Sequence, residues 1–310
     1  MILTVTMNPS VDMSYSLEHF KLDDVNRVSE VSKTAGGKGL NVSRVLHQLD
    51  RELLATGVLG GFLGAYIELE LEKEGILHDF TKIKEESRNS IAVLHDQGQQ
   101  TEILEKGPTV TKQEEQTFIE HFKVLVKKSR LVTISGSLAA GLSQNLYDTL
   151  IGLAKEAKVS VLLDTSGNAL KQAVISENKP FLIKPNETEI AELLSVEKAE
   201  GEELLEQLKH PMFDGIDWIV VSLGAAGAIA KHKEKFYKVR IPALEAVNPV
   251  GSGDATLAGL AYAVAAENTD EDVLKWGMTT GMLNALEIKT GWIDPNKIDD
   301  YFGQIVVTQL

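Results

Sequence analysis

Short β-prone apolar runs alternate with amphipathic helical stretches along most of the chain, and this rhythm limits the fold more than any other feature. Ile2–Met7, Leu53–Val58, Arg130–Ser135, Val159–Asp164, Phe181–Lys184 and Trp218–Leu223 read as strands. Lys38–Leu49, Leu63–Glu74, Lys112–Lys127, Asn145–Ala157, Glu187–Leu194, Asp254–Ala265 and Val273–Leu286 read as helices. Strands separated by helices of this length predict βαβ units and a mostly parallel sheet covered on both faces, an α/β fold. Two regions break the rhythm. Residues 11–34 are polar and β-prone, and residues 87–107 contain Asn89–His95 and Thr101–Glu105 around the turn-like Asp96-Gln97-Gly98. These segments predict a small antiparallel β lid beside the main sheet, one that covers a site or pairs with a second subunit. No repeat, linker or low-complexity tract divides residues 1–310, so one domain is expected.

Composition narrows the chemistry. The 310 residues carry a net charge of −14, which disfavours nucleic acid and anionic membranes as partners. With no cysteine, thiol catalysis, disulfides and cysteine-ligated zinc are excluded. His19, His47, His78, His95, His121, His210 and His232 show no metal-ligand spacing. The opening Met1–Thr6 reads as a first strand rather than a leader peptide, so a cytoplasmic location is expected.

Against that acidic background, lysines beside glycine clusters stand out. Gly251-Ser252-Gly253-Asp254 opens an apolar helix, where backbone amides make an anion site and Asp254 stands in the first turn. Read alone, that aspartate equally complements the helix dipole. Gly36-Gly37-Lys38-Gly39-Leu40-Asn41 opens a second helix and puts Lys38 at its positive end, which favours a bound anion. Lys184-Pro185-Asn186-Glu187-Thr188-Glu189 contains a capping box, Asn186 with Glu189, that also suits Mg²⁺ and nucleotide phosphates. Ser222-Leu223-Gly224-Ala225-Ala226-Gly227 follows a strand, either as a nucleotide-binding turn or as an ordinary hairpin into Ala228–His232. Asp12 leaves the first strand at the same edge and reads equally as a holder of two sugar hydroxyls or as a solvated loop aspartate, while Arg27, Arg88 and Ser137 read individually as surface residues. The first strand runs into Asn8-Pro9 instead of G-x-G-x-x-G, which removes a Rossmann dehydrogenase.

Taken in order, these motifs resemble the ribokinase-like (PfkB) carbohydrate kinases over the whole chain. Asn8-Pro9-Ser10-Val11-Asp12 and Gly36-Gly37-Lys38-Gly39-Leu40-Asn41-Val42 resemble the phosphosugar branch. The resemblance implies a three-layer ribokinase-like fold and ATP-dependent phosphorylation of a phosphorylated ketohexose. The residues leave tagatose and fructose phosphates open. It further implies Asp254 as the base, with Gly251, Ser252 and Gly253 as the anion hole. Asp12, Gly36, Gly37 and Asn41 would lie along the sugar. Lys38, Arg88 and Ser137 would hold its phosphate, helped by Arg27 from the lid or from a partner's lid. Lys184, Asn186, Ser222, Gly224, Gly227 and Asn284 would line the ATP site, and Asn186 and Glu189 would serve Mg²⁺. A K⁺ ion near the anion hole is also implied, and the lid strands themselves suggest a homodimer. A non-catalytic sugar or nucleotide sensor on this fold should lack the base, and Asp254 is present.

Overall fold

The computed structural model describes residues 1–96 and 99–310. In chain order its elements are β1 (Ile2–Thr6), β2 (Ser10–Ser16), β3 (Val31–Gly36), α1 (Lys38–Gln48), β4 (Leu53–Gly60), α2 (Gly61–Glu74), β5 (Thr81–Ile83), β6 (Arg88–His95), β7 (Gln99–Leu104), α3 (Lys112–Val126) and β8 (Leu131–Ser135). There follow α4 (Leu146–Glu156), β9 (Ser160–Asp164), α5 (Gly167–Ile175), β10 (Leu182–Ile183), α6 (Glu187–Leu194), α7 (Gly201–Gln207), β11 (Trp218–Ser222), β12 (Ala228–His232), β13 (Lys235–Arg240), α8 (Ser252–Ala265), α9 (Asp270–Ala285), α10 (Ile298–Phe302) and β14 (Val306–Gln309).

Ten strands form the main sheet in the order β14-β13-β12-β11-β10-β9-β8-β1-β4-β5. Neighbours from β11 to β5 run parallel, and β12, β13 and β14 add an antiparallel edge. The strands alternate between two cores. Leu162, Trp218 and Val220 face one side with α1, α2, α8 and α9. Val161, Leu163, Ile219 and Val221 face the other with α3 to α7. That two-sided burial explains why the parallel strands are apolar almost throughout. Helix α8 is buried around most of its circumference between α1 and α9, as its largely apolar sequence after Thr256 requires.

The second sheet has four strands in the order β3-β2-β6-β7. It differs from the expected antiparallel lid. Its outer pairs are antiparallel, but the central β2 and β6 pair in parallel, with Ser10 opposite Arg88. The cause is positional, since β2 continues from β1 and β6 from β5, and both leave the parallel sheet in one direction. The expected turn at Asp96-Gln97-Gly98 lies partly outside the described residues. Val11, Ile91 and Val93 alternate with the cleft-lining Ser10, Asp12, Ser90, Ala92 and Leu94, and α2 packs against β2 and β3.

The helix expected from Val273 begins three residues earlier. Thr269 caps it by accepting from the Asp272 amide at 3.2 Å, and three acidic residues fill its first turn. The strand expected over Phe181–Lys184 shrinks to Leu182–Ile183, bounded by Pro180 and Pro185.

Candidate active site

A cleft of about 540 Å³ opens between the carboxyl ends of the parallel strands and the lid. A recess of about 270 Å³ joins it, sharing Gly37, Lys38 and Arg88. Two helices aim their amino ends at this space.

Helix α1 begins after Gly37, whose φ of 102° lets the chain turn straight from β3 into the helix. Gly36 has a different task. A Cβ there would lie 2.0 Å from the Asp12 carboxyl carbon, so glycine leaves the Asp12 carboxylate its place on the cleft wall. Helix α8 begins after Gly251, at φ 82°, and a Cβ at Gly251 would strike the Thr290 side chain at 2.4 Å. Asn284 braces this loop from behind. It is fully buried, donates to the Val250 carbonyl at 2.9 Å and accepts from the Gly291 amide at 2.8 Å.

Asp254, in the first turn of α8, is 6% exposed and receives a hydrogen bond from Asn41 Nδ2 at 2.8 Å. Burial pushes its pKa up to about 7, and the Asp164 charge adds to the rise. Lys38, the Asn41 bond and Lys184 act in the opposite direction. The carboxyl is thus poised where a base is useful near neutral pH.

Asp164, at the carboxyl end of β9, is the residue that sequence reasoning missed. Its Oδ1 stands 3.7 Å from Lys38 Nζ and its Oδ2 3.4 Å from Lys184 Nζ. Asp164 and Lys184 are buried, whereas the Lys38 side chain is 46% exposed. The Asp164 carboxylate raises the Lys38 pKa, so that lysine stays charged. Asp164 Oδ2 is buried without a hydrogen-bond partner. A buried acid ending a parallel strand, directly before Thr165-Ser166-Gly167, was the available signal.

The recess gathers Asn8, Lys38, Arg88 and Ser137. Arg88 donates to the Asn8 carbonyl at 3.4 Å, and Asn8 Nδ2 reaches Ser137 Oγ at 3.5 Å. Asp12 lies on the cleft wall, accepts from Ser10 Oγ at 2.6 Å and has its pKa raised by burial. Lys184, Asn186, Glu189, Ser222, Gly251 and Gly253 share the opposite part of the cleft with Asp254.

Other expected site residues sit differently. Ser252 is the first residue of α8 and receives from Asn284 at 3.3 Å, while its neighbours Gly251 and Gly253 form the wall. Asn284 therefore supports the loop instead of lining the cleft. Gly224 and Gly227 make the tight connection from β11 to β12, outside the cleft wall. Arg27 is exposed in the β2–β3 connection, away from both cavities. Asn186 and Glu189 do close a capping box, at 2.9 Å in each direction. The cap takes one oxygen from each residue, Asn186 Oδ1 and Glu189 Oε2, which leaves Glu189 Oε1 and the unpartnered Asp164 Oδ2 as carboxylate oxygens suited to a hard cation. One or two carboxylates suffice for Mg²⁺ when phosphates and water supply the remaining ligands.

The model described as pfkB family carbohydrate kinase matches residues 5–296. Tagatose-6-phosphate kinases from two strains of Staphylococcus epidermidis, ATCC 12228 and RP62A, are each 50% identical over 311 residues, covering 100% of both chains. The structure of phosphofructokinase-2 from Escherichia coli in complex with potassium has the same fold, with a TM-score of 0.91 at 24% identity, covering 97% of this chain and 98% of that one. The chain belongs to the pfkB family of carbohydrate kinases.

Proposed function

We propose that the protein transfers the γ-phosphoryl group of ATP to the C1 hydroxyl of D-tagatose 6-phosphate, giving D-tagatose 1,6-bisphosphate and ADP. The observation that carries this reading is the pairing of two helix ends in one cleft, α8 with a buried carboxylate and α1 with a cation. The full-length kinship with tagatose-6-phosphate kinases selects the sugar.

The 6-phosphate takes the recess, against Lys38, Arg88, Asn8 and Ser137. The sugar hydroxyls run along Asp12, Gly37 and the remaining N–H of Asn41. This places C1 toward Asp254, which accepts the O1 proton as O1 attacks the γ-phosphorus. The bond to the β-phosphate oxygen breaks and ADP departs. Amides at the start of α8, Gly251 to Gly253, take up charge on the equatorial oxygens. Lys184 and Ser222 lie on the ATP side, with Gly224 and Gly227 shaping the turn beyond them. Asp164 and Glu189 would hold Mg²⁺ and its waters, and the bound ion neutralises phosphate charge. A K⁺ requirement belongs to the reading too, since the E. coli relative was solved with potassium. Turnover in potassium buffer against sodium buffer tests it. A second copy of the chain fits over the lid, where Val31, Leu94, Ile103 and Leu104 are exposed. Arg27 would then reach a partner's cleft, and light scattering gives the mass that decides this.

The central experiment measures ADP release from ATP with a panel of ketose monophosphates. The expected result is the highest kcat/KM for tagatose 6-phosphate, roughly tenfold or more above its C4 epimer fructose 6-phosphate. A higher value for either fructose monophosphate would reassign the sugar. Saturable binding with no ADP formed from any of them would make the protein a sensor.

A further inference from the structure

Behind the cleft lies a buried cation that the mechanism above does not use. Arg44 is one turn beyond Asn41 on α1 and only 2% exposed. Its guanidinium is committed in three directions. Nε donates to Glu74 Oε2 at 2.9 Å, Nη2 to the Ala35 carbonyl at 2.6 Å and Nη1 to Asn41 Oδ1 at 3.1 Å. The Trp292 ring stands over it, with the centroid 6.0 Å away. Gly291 closes the other approach, since a Cβ there would lie 2.9 Å from Nη1 and 3.0 Å from Asn41 Oδ1. The loop bearing Gly291 is in turn gripped by Gln48 of α1, through the Gly291 carbonyl at 3.0 Å and the Ile293 amide at 2.9 Å.

An arginine offers only donors, whereas an asparagine amide offers an acceptor at one end and donors at the other. Arg44 therefore dictates how Asn41 lies, with its oxygen toward the guanidinium and its nitrogen toward Asp254. A flipped amide would set donors against donors at Arg44 and an oxygen against the Asp254 carboxylate. Glu74 and the Ala35 carbonyl hold Arg44 in turn, so a relay runs Glu74–Arg44–Asn41–Asp254 with each hydrogen-bond direction fixed.

We propose that Arg44 is a positioning residue for the base: it locks the Asn41 amide so that Asp254 keeps one oxygen bonded and turns the other to the substrate hydroxyl. This inference rests on the role of Asp254 given above and deepens it. The charged groups around that carboxyl are Asp164, Lys38 and Lys184, and none of them orients it by a hydrogen bond. An ion pair that merely ties α1 to α2 would change melting temperature and nothing else.

The test removes Arg44 and its partner charge together, as Arg44→Met with Glu74→Gln, because a buried pair exchanged for neutral groups is often tolerated while an orphaned charge is not. Asn41→Ala serves as the reference. The expected result is a kcat lower by about 10²-fold, with KM for ATP nearly unchanged and the acid limb of kcat/KM moved to higher pH. Asn41→Ala should give the same shift, and adding it to the pair should cost little more. An unmoved acid limb with near-normal kcat would overturn the proposal, as would losses that multiply. If the pair does not fold, Arg44→Lys keeps a cation beside Glu74 but cannot present the fork, and the same shift is expected. A second measurement needs no substrate. The melting temperature of the parent relative to Asp254→Asn, followed against pH with and without Arg44, reports ionisation at Asp254 through linkage. Its crossover should move upward when Arg44 is removed, and an unmoved crossover also overturns the proposal. If the parent phosphorylates no ketose phosphate, the kinase reading fails by itself, and this second measurement still decides the role of Arg44.

Discussion

Helices α1 and α8 both begin after a glycine at positive φ and point their amino ends into the same cleft. Yet one carries a lysine there and the other an aspartate. The difference lies in what surrounds each end. The α1 end opens to the cleft and the recess, so Lys38 is half exposed and held charged by Asp164. It faces the helix dipole the wrong way, which an incoming phosphate would relieve. The α8 end is enclosed by α1, the Val250 loop and β9, so Asp254 has the favourable dipole but loses its water, and desolvation dominates. One end is thus suited to bind an anion and the other to hold a carboxyl near neutrality.

The strongest way to break this contrast is Asp254→Asn. Turnover should fall by roughly 10²–10⁴-fold with little change in either KM. Near-normal kcat would remove the base. The same variant should be more stable than the parent at pH 8. The Asp254 pKa lies above its ordinary carboxylate value in the fold, so the neutral form is favoured there. That contribution is complete below pH about 4 and is lost as pH rises through about 7. The gap in melting temperature should therefore be widest above pH 8 and close below pH 4, as a thermal series across that range would show.

Next in size is Lys38→Met, which tests the open end. KM for the sugar phosphate should rise by about 10- to 100-fold, and KM for ATP should change far less. Equal losses for both substrates would mean that the two helix ends do not divide the work. A smaller effect follows from their shared neighbour. Asp164→Asn removes a negative charge that raises Asp254, so the acid limb of kcat/KM, expected near pH 7, should move down. Its movement upward would show that Asp164 acts on Asp254 mainly through the lysines.

How much of this was legible in the sequence follows the same division. The parallel strands, α1 and α8 could be read because apolar periodicity and glycine clusters are local signals. Asp254, Lys38 and Asn41 could be singled out because each sits beside such a cluster. Asp164 was not, because an acid at a strand end before Thr165-Ser166-Gly167 is only a weak local mark; its importance comes from β9 lying between β8 and β10, which brings Lys38 and Lys184 to its two oxygens. Asn284 shows the opposite error. Its type suits a ligand contact, but only the packing of α9 against α8 reveals that both ends of its amide serve the loop. The lid strands were visible while their parallel central pair was not, since that depends on where β1 and β5 end.

The smallest expected effect concerns Arg27, which lines neither cavity of its own chain. If each subunit's cleft is complete alone, Arg27→Ala should leave KM for the sugar phosphate within about twofold, as exposed charges usually contribute little. If a partner's lid brings Arg27 over the recess, KM should rise severalfold in the dimer, and dilution to monomer should erase the difference between variant and parent. Measuring KM against enzyme concentration, with mass followed by light scattering, separates the two cases. A concentration-independent KM, equal in parent and variant, would leave the recess to Lys38, Arg88, Asn8 and Ser137 alone. The contrast between the open and enclosed helix ends would then be a property of a single chain.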